Sequence, residues 1–445
     1  MSTIREQFSQ RHMLPVIAAS TLGTTIEWYD FFLYGTVATL VFPKLFFPTF
    51  DPFVGTLLSL TTFLVGFIAR PIGGVIFGHM GDRVGRKSTL IATLLLMGIA
   101  TLVVGFIPGY GVIGVWAPLL VSLMRFFQGL GVGGEWGGSV LLAMEYGHGR
   151  NRGFWASWPQ VGVPLGLLLS SALVAIFAGI SGDQFSNWGW RIPFFLSAIL
   201  IIIGLYIRVR ILETPLFAKI KEEKREAKLP VIDVIVSNWR EILLSAGARF
   251  VEQAPFYLFA TFVLVYGVSH LALNRQLILA GIYIAAIVEM FTIPWFSYLS
   301  DRYGRRRWYL IGCVLMLLFA FPYFLLINTG IPILVILSIV LSLALFHAFV
   351  YGPQAALIAE LFGTKLRYSG ASIGYQLAAP FAGGLAPLIA ETLLHNYGGS
   401  FVPVSIYIII LAVISFAAVL GLREMSQADI SAEESVGTET AFVTD

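Results

Sequence analysis

The sequence predicts an all-α integral membrane protein in which twelve transmembrane helices form two pseudosymmetric six-helix bundles. Three observations predict it: a composition too apolar for water, twelve apolar runs of spanning length, and charged loops that recur in both halves. The chain is 57% hydrophobic and only 12% charged, with a mean hydropathy of +0.83. Ordinary soluble proteins are about 25% charged, so this surface needs a lipid solvent. The single cysteine, Cys313, excludes an intramolecular disulfide and any cysteine-based metal cluster, and its apolar surroundings read as a core thiol.

A helix that crosses the hydrocarbon core needs about 20 predominantly apolar residues. Such runs lie near 15–41, 53–79, 88–107, 115–144, 154–178 and 191–211, then 241–269, 276–299, 308–327, 331–358, 370–394 and 401–422. They are continuous rather than alternating, which favours helices over a β-barrel. Of the 28 lysines and arginines, 22 fall on one side when the N-terminus is placed in the cytoplasm, three outside (Lys44, Arg191, Arg275) and three within spans (Arg70, Arg125, Arg249). The bias orients the chain with both termini cytoplasmic in a multi-pass arrangement in the cell membrane. The expected organisation is a cytoplasmic N-terminus (1–14), a first bundle (15–211), a cytoplasmic linker (212–240), a second bundle (241–422) and an acidic tail (423–445). The linker carries KIKEEKREAK (219–228), which reads as a solvated segment without a site, and the tail has the composition of a disordered one.

The halves echo each other. GHMGDRVGRK (78–87) follows the second run and SYLSDRYGRRR (297–307) the eighth, with Asp82 and Asp301 offset by 219 residues. Glu145 and Arg152 recur as Glu360 and Arg367, both offset by 215. Two spaced motifs at nearly one offset indicate a duplicated six-helix unit. Glycines in such a short loop let two helices turn tightly. The acids and bases beside them (Gly78, Asp82, Arg83, Arg86, Lys87, Glu145, Arg152; Asp301, Arg302, Arg305, Glu360, Arg367) can bridge neighbouring helix ends, closing one face and parting when the halves rock. A purely topogenic role for the basic loops would leave the repeated aspartate unexplained.

On these residues the chain resembles the major facilitator superfamily over nearly its whole length. GHMGDRVGRK is similar to that superfamily's signature loop, and RFFQGLGVGGEWGG (125–138) resembles its fourth-helix motif. TIEWYDFFLYG (25–35), WGWRIPFF (188–195) and ETPLF (213–217) resemble the metabolite:proton symporter family; GGEWGG, SGASIGYQ (369–376) and SDRYGRRR look closest to shikimate-permease-like members. The resemblance implies a major facilitator fold and proton-coupled uptake of a small organic solute by alternating access, with carboxylates and zwitterions such as proline and betaine as the substrate classes.

An ionisable group at the centre of a span costs about 2.5–3.5 kcal/mol on insertion scales, so it usually faces a partner or a watery cavity. Glu27 and Asp30 lie near the middle of the first span on one face, with Arg125 at comparable depth in the fourth. A carboxylate beside an arginine ionises readily, whereas a desolvated one without a partner holds its proton; alternation between the two could carry a proton across. The resemblance implies such a first-helix acid and fourth-helix arginine pair, here Asp30 with Arg125 and Glu27 as alternate carrier. A static ion pair that only fixes packing is the other reading.

In the second half, Arg249 and Glu252 are spaced i,i+3 in the seventh span, with Glu289 in the eighth. Arg249 either binds an anionic substrate by parallel hydrogen bonds or pairs internally with Glu252. Gln160, Tyr257, Gln354, Tyr375 and Gln376 could line a cavity and bond a ligand's hydroxyls, or could simply join helices. His347 is a lone histidine, for packing or for proton relay, and Glu135 among its glycines reads as structural. No GxxxxGK[ST] motif, metal-ligand cluster or nucleophile–base constellation is present in the sequence. An ATP-driven pump or an enzyme is therefore not expected, nor a cofactor, a metal or a nucleic-acid partner. The expected partners are a small organic solute, protons and the bilayer, and the expected oligomeric state is a monomer. The rival readings are a proline/betaine-type osmolyte symporter, an uncoupled facilitator or exchanger, and a solute sensor that does not transport.

Overall fold

The computed structural model describes residues 2–50, 52–146, 151–210 and 230–426. KIKEEKREAK, ETPLF, most of the expected linker and the acidic tail beyond residue 426 lie outside the described residues.

Twelve long helical segments follow one another: α1 (Ser2–Leu40), α2 (Pro52–Arg83), α3 (Arg86–Phe106), α4 (Trp116–Tyr146), α5 (Trp158–Ser181) and α6 (Arg191–Arg210) in the first half. The second half holds α7 (Trp239–His270), α8 (Arg275–Tyr303), α9 (Arg305–Asn328), α10 (Pro332–Ala359), α11 (Arg367–Asn396) and α12 (Val402–Gly421). Ten of them are long and apolar enough, among the described residues, to cross a membrane. The other two, α1 and α4, carry the acids, arginines and glycines of EWYD and RFFQGLGVGGEWGG, which lower their apolar average. Two helices outrun their apolar stretches. The helix α1 starts at Ser2, and α2 continues to Arg83, because backbone hydrogen bonding carries a helix beyond the lipid-facing run until a breaker intervenes.

Gly85 (φ +129°) and Gly304 (φ +94°) are those breakers, one after each Asp-Arg loop. Both φ values lie in the region that only glycine enters without strain, so the glycine three residues after each aspartate is what ends one helix and starts the next.

Each half packs mainly within itself, α1 on α5 and α2 on α4 in the first, α9 on α12 and α8 on α10 in the second. Small residues permit the closest of these approaches. A Cβ on Gly129 would strike the Gly66 carbonyl, and one on Gly133 the Arg70 carbonyl, so the glycines of α4 let it lie directly against α2. The halves meet along two seams, α2 against α11 and α5 against α8. Several second-half helices contain wide, π-type turns: Leu258–Phe262 and Tyr266–His270 in α7, Leu341–His347 in α10, and Ala379–Gly384 in α11. Such turns re-aim the side chains that follow them and recur at functional sites. In the first half the stretch PQVGVPLG (159–166), a run of prolines and glycines, sits in regular helix inside α5.

Candidate functional site

The face that carries the repeated loops is closed by two matching sets of charges. Asp82, at the end of α2, accepts hydrogen bonds from the backbone N–H groups of Tyr368 (3.1 Å) and Ser369 (2.7 Å), the first turn of α11 in the other half. Asp301, at the end of α8, does the same to Gly153 (3.0 Å) and Phe154 (2.8 Å) in the short helix Arg152–Ala156 that leads into α5. Each aspartate thus satisfies the orphan donors of a helix start across the seam.

Behind each aspartate a glutamate gathers two arginines. Glu360 takes a bidentate bond from Arg305 (2.6 and 2.7 Å) and one from Arg152 of the first half (2.5 Å). Arg305 also bonds Asp301 at 2.7 Å. In the mirror set Glu145 pairs with Arg86 and, across the seam, with Arg367 at 3.4 Å. Gly78 lies against the backbone of Ser369, where a Cβ would come within 2.9 Å of its Cα. Arg83 and Arg302 point outward, Arg302 onto the Tyr298 hydroxyl, and Lys87 bonds the Val209 carbonyl at 2.7 Å. The chain leaving α12 reinforces this face. Met425 offers its carbonyl to Arg152 (2.6 Å), and Glu424 accepts from the Arg306 (2.8 Å) and Ser426 (3.0 Å) backbones. Burial alone would raise the Glu424 carboxyl, but hydrogen bonds from Ser426 and the Arg306 backbone outweigh it and hold the group below its usual range.

Midway through the bundle, between the halves, a small cavity is lined by Trp28 and Val163 of the first half and by Arg249, Glu252, Gln253, Phe256, Tyr257, His347 and Tyr351 of the second. On its far side from the loops, aromatic rings cross the interface: Phe31 and Phe67 pack with each other (5.3 Å) and on Tyr257 (6.5 and 5.3 Å), and Phe32 on Phe256 (6.2 Å).

The structure separates the predicted ligand set. Arg249, Glu252 and Tyr257 reach the cavity; Gln160, Gln354, Tyr375 and Gln376 are not among its walls. Gln160 accepts from Trp136 Nε1 (3.2 Å) and donates to the Tyr351 carbonyl. Gln354 donates to the Tyr309 hydroxyl (2.8 Å), and Gln376 to the Val132 carbonyl (3.2 Å). Tyr375 is sandwiched, stacked on Trp136 at 3.5 Å with the Arg249 guanidinium over its other side at 3.2 Å. These four join helices, as a buried amide or phenol must when it finds a protein partner first. Glu135 is likewise structural, paired with Arg208 and accepting from Ser139 (2.6 Å) and Thr93 (3.2 Å).

The expected bond between Asp30 and Arg125 is not formed. Asp30 is buried with the Thr101 hydroxyl as its polar neighbour, and Arg125 lies close without bonding it. Arg125 instead donates to Gln128, its i+3 neighbour, at 3.1 Å and lies over the rings of Phe31, Tyr34 and Phe63 at 4.1–4.6 Å. A local amide and three ring faces hold the guanidinium where the acid could have. Glu27 is buried too and forms no salt bridge among the described residues. Arg249 pairs with Glu252 (3.2 Å) and donates to the Tyr375 carbonyl (2.6 Å), so the internal alternative is the one realised.

Two groups at the cavity lie outside the predicted ligand and coupling set. Arg70 of α2 is only 1% exposed, lies over Phe31 (4.4 Å), Phe67 (4.6 Å) and the cavity wall Trp28 (5.4 Å), and leaves Nε and Nη2 without partners. An arginine inside a span was the available signal. The other is His347 with Glu289: Nδ1 bonds Glu289 Oε1 at 2.6 Å, and Nε2 lies 3.5 Å from Glu252.

Twelve helices in two mirrored halves, closed around a midplane cavity with unpartnered polar atoms, define a multi-pass membrane transporter rather than an enzyme. The chain belongs to the Major Facilitator Superfamily, whose family model matches residues 21–375. It is 42% identical over 415 residues to the inner membrane metabolite transport protein YhjE of Escherichia coli (strain K12), spanning 92% of this chain and 94% of that protein. The shikimate transporter of the same organism is 39% identical over 412 residues, with the same two shares. Among solved structures the fold is similar to that of the proton:xylose symporter XylE bound to 6-bromo-6-deoxy-D-glucose (TM-score 0.76, 17% identity), covering 94% of this chain and 97% of that one.

Proposed function

We propose that this transporter drives uptake of a small carboxylate-bearing metabolite with the proton gradient, by alternating access in the cell membrane. The face carrying the repeated loops is its cytoplasmic face, and residues 15–211 and 241–422 are the two bodies that rock as a monomer. The observation that carries the reading is the bare edge of Arg70. Its Nε and Nη2, the two nitrogens that meet a carboxylate in parallel, are buried without a partner beside the cavity. The Tyr257 hydroxyl and both ends of the Gln253 amide are unpartnered in the same place. Buried polar groups are rarely left so, and a solute with one carboxylate and a few hydroxyls would satisfy all three. Arg249, already paired, takes the substrate only by giving up Glu252.

Proton coupling rests on Asp30, buried beside the Thr101 hydroxyl and in the field of Arg125, whose own Nε and Nη2 have no hydrogen-bond partner. Loading Asp30 with a proton in one state and passing it to water in the other would tie solute movement to the gradient, with Glu27 as the alternate carrier. The glutamate–arginine sets at the loop face serve as the gate that parts for release.

The test is uptake by proteoliposomes of a panel of shikimate, α-ketoglutarate, citrate, a benzoate-like acid, proline and betaine, with and without an inward proton gradient. One acid is expected to accumulate only with the gradient. Asp30→Asn is expected to abolish accumulation while leaving downhill exchange. Accumulation that survives both Asp30→Asn and Glu27→Gln would remove the first-helix acids from coupling, and accumulation of proline or betaine alone would replace the acid by an osmolyte.

A further inference from the structure

Four charged or titratable side chains form a continuous line at the cavity, where Arg249, Glu252 and His347 stand in the wall and Glu289 behind His347, linked at 3.2, 3.5 and 2.6 Å. All four are buried, with 1–4% exposure. An ionised carboxylate can only accept, so Glu289 fixes the proton of a neutral imidazole on Nδ1 and leaves a lone pair on Nε2. That Nε2 is buried at the cavity wall and faces only the Glu252 carboxylate, at 3.5 Å, the outer limit of a hydrogen bond.

We propose that His347 Nε2 is a further proton-binding position of this transporter, and that an incoming carboxylate loads it by displacing Glu252 from Arg249. The inference rests on the reading that the solute carries a carboxylate. With a neutral imidazole the line holds one positive and two negative charges. A solute carboxylate that Arg70 and Arg249 share, both of them beside Tyr257, adds a third negative charge and turns Glu252 free. In a site with little water that imbalance is costly, and a proton on Nε2 offsets it while giving Glu252 a charged donor in place of the arginine. Solute and proton therefore each strengthen the other's binding, which is the thermodynamic content of coupling.

The surroundings contain little else that could do this. Glu252 faces His347 from α7 and Glu289 from α8; from its own helix Tyr351 stacks on the ring at 4.9 Å, and Phe256 of α7 lies at 5.0 Å. The other titratable neighbours, Tyr257 of α7, Tyr309 of α9 and Tyr375 of α11, are phenols. His347 also closes the wide turn Leu341–His347, a backbone form that departs from the regular ladder of α10.

The experiment measures the Kd of the purified full-length protein for each acid of the panel between pH 5.5 and 8.5, by tryptophan fluorescence. In wild type the affinity is expected to fall with rising pH. In His347→Gln, which can still donate to Glu289 but cannot gain a proton, that dependence is expected to lose at least about half its slope. Asp30→Asn is expected to retain the part that His347→Gln removes. Glu252→Gln supplies a check that needs no histidine variant: by freeing Arg249 it is expected to tighten acid binding at pH 8.5 by tenfold or more and to flatten the profile. A wild-type slope in His347→Gln, or unchanged binding at pH 8.5 in Glu252→Gln, overturns the proposal while leaving the carboxylate reading intact. Binding of proline or betaine, with no acid bound by wild type at any pH, overturns the carboxylate reading and this proposal with it.

Discussion

Replacement of Arg70 by methionine is expected to weaken binding of the transported acid by tenfold or more without lowering the stability of the protein. A hydrogen bond to a charged group contributes about 1.5–3 kcal/mol, and two parallel ones from a single guanidinium edge meet a carboxylate in an arrangement lysine cannot copy. Stability should hold or rise. The unpartnered edge is buried in the empty site, and an apolar side chain of similar length removes that desolvation cost while keeping contact with Phe31, Phe67 and Trp28. Titration of the solute and thermal unfolding in detergent check both halves of the expectation. A drop in unfolding temperature with unchanged affinity would mean that Arg70 serves packing over the rings and not the ligand.

The second large effect is expected at the loop face. Glu360→Gln strips the charge that holds Arg305 and, across the seam, Arg152. Breaking a buried pair by removing one partner costs about 3–5 kcal/mol, because it leaves the other charge uncompensated. Since Arg152 belongs to the opposite half, part of that cost is relieved by letting the halves separate there. A cysteine placed at Ser369, fully buried beneath the Asp82 contact, is therefore expected to react at least about tenfold faster with a water-soluble maleimide in the Glu360→Gln background. The native Cys313 is buried and contributes little background. An unchanged rate would show that Asp82, Asp301 and the Glu145 set hold the face without Glu360.

Much of this was legible in the sequence, and the reason is physical. A span must be apolar for about 20 residues whatever its neighbours are, so the twelve runs could be counted one at a time. The loop charges were legible because duplication wrote them twice: Asp82 with Asp301, and Glu145 with Glu360, gave a spacing to compare. Even there, the sequence left open whom they bridge. The aspartates cap helix starts of the opposite half, a contact between residues 286 and 148 positions apart.

The cavity was less legible, because its residues are chosen by rotamer and helix face, which depth alone does not set. Asp30 and Arg125 sit at comparable depth, yet Gln128 stands one helical turn from the arginine and takes its hydrogen bond. The polar residues Gln160, Gln354 and Gln376 were plausible cavity walls, but each donates its amide N–H to a neighbouring helix instead. His347 looked solitary because its partners lie 58 and 95 positions away, in α8 and α7. A stricter use of one rule would have found it: each buried acid in a span needs a partner, and Glu289 had none nearby in sequence.

The central claim, that a carboxylate and a proton cross together, is tested most directly by proton entry into proteoliposomes that carry a pH-sensitive dye inside. With no imposed gradient, addition of the transported acid in excess outside is expected to acidify the lumen when the membrane potential is clamped. That signal should vanish in Asp30→Asn. Entry of the labelled acid at an undiminished rate with no change of internal pH would contradict coupling and leave an uncoupled facilitator.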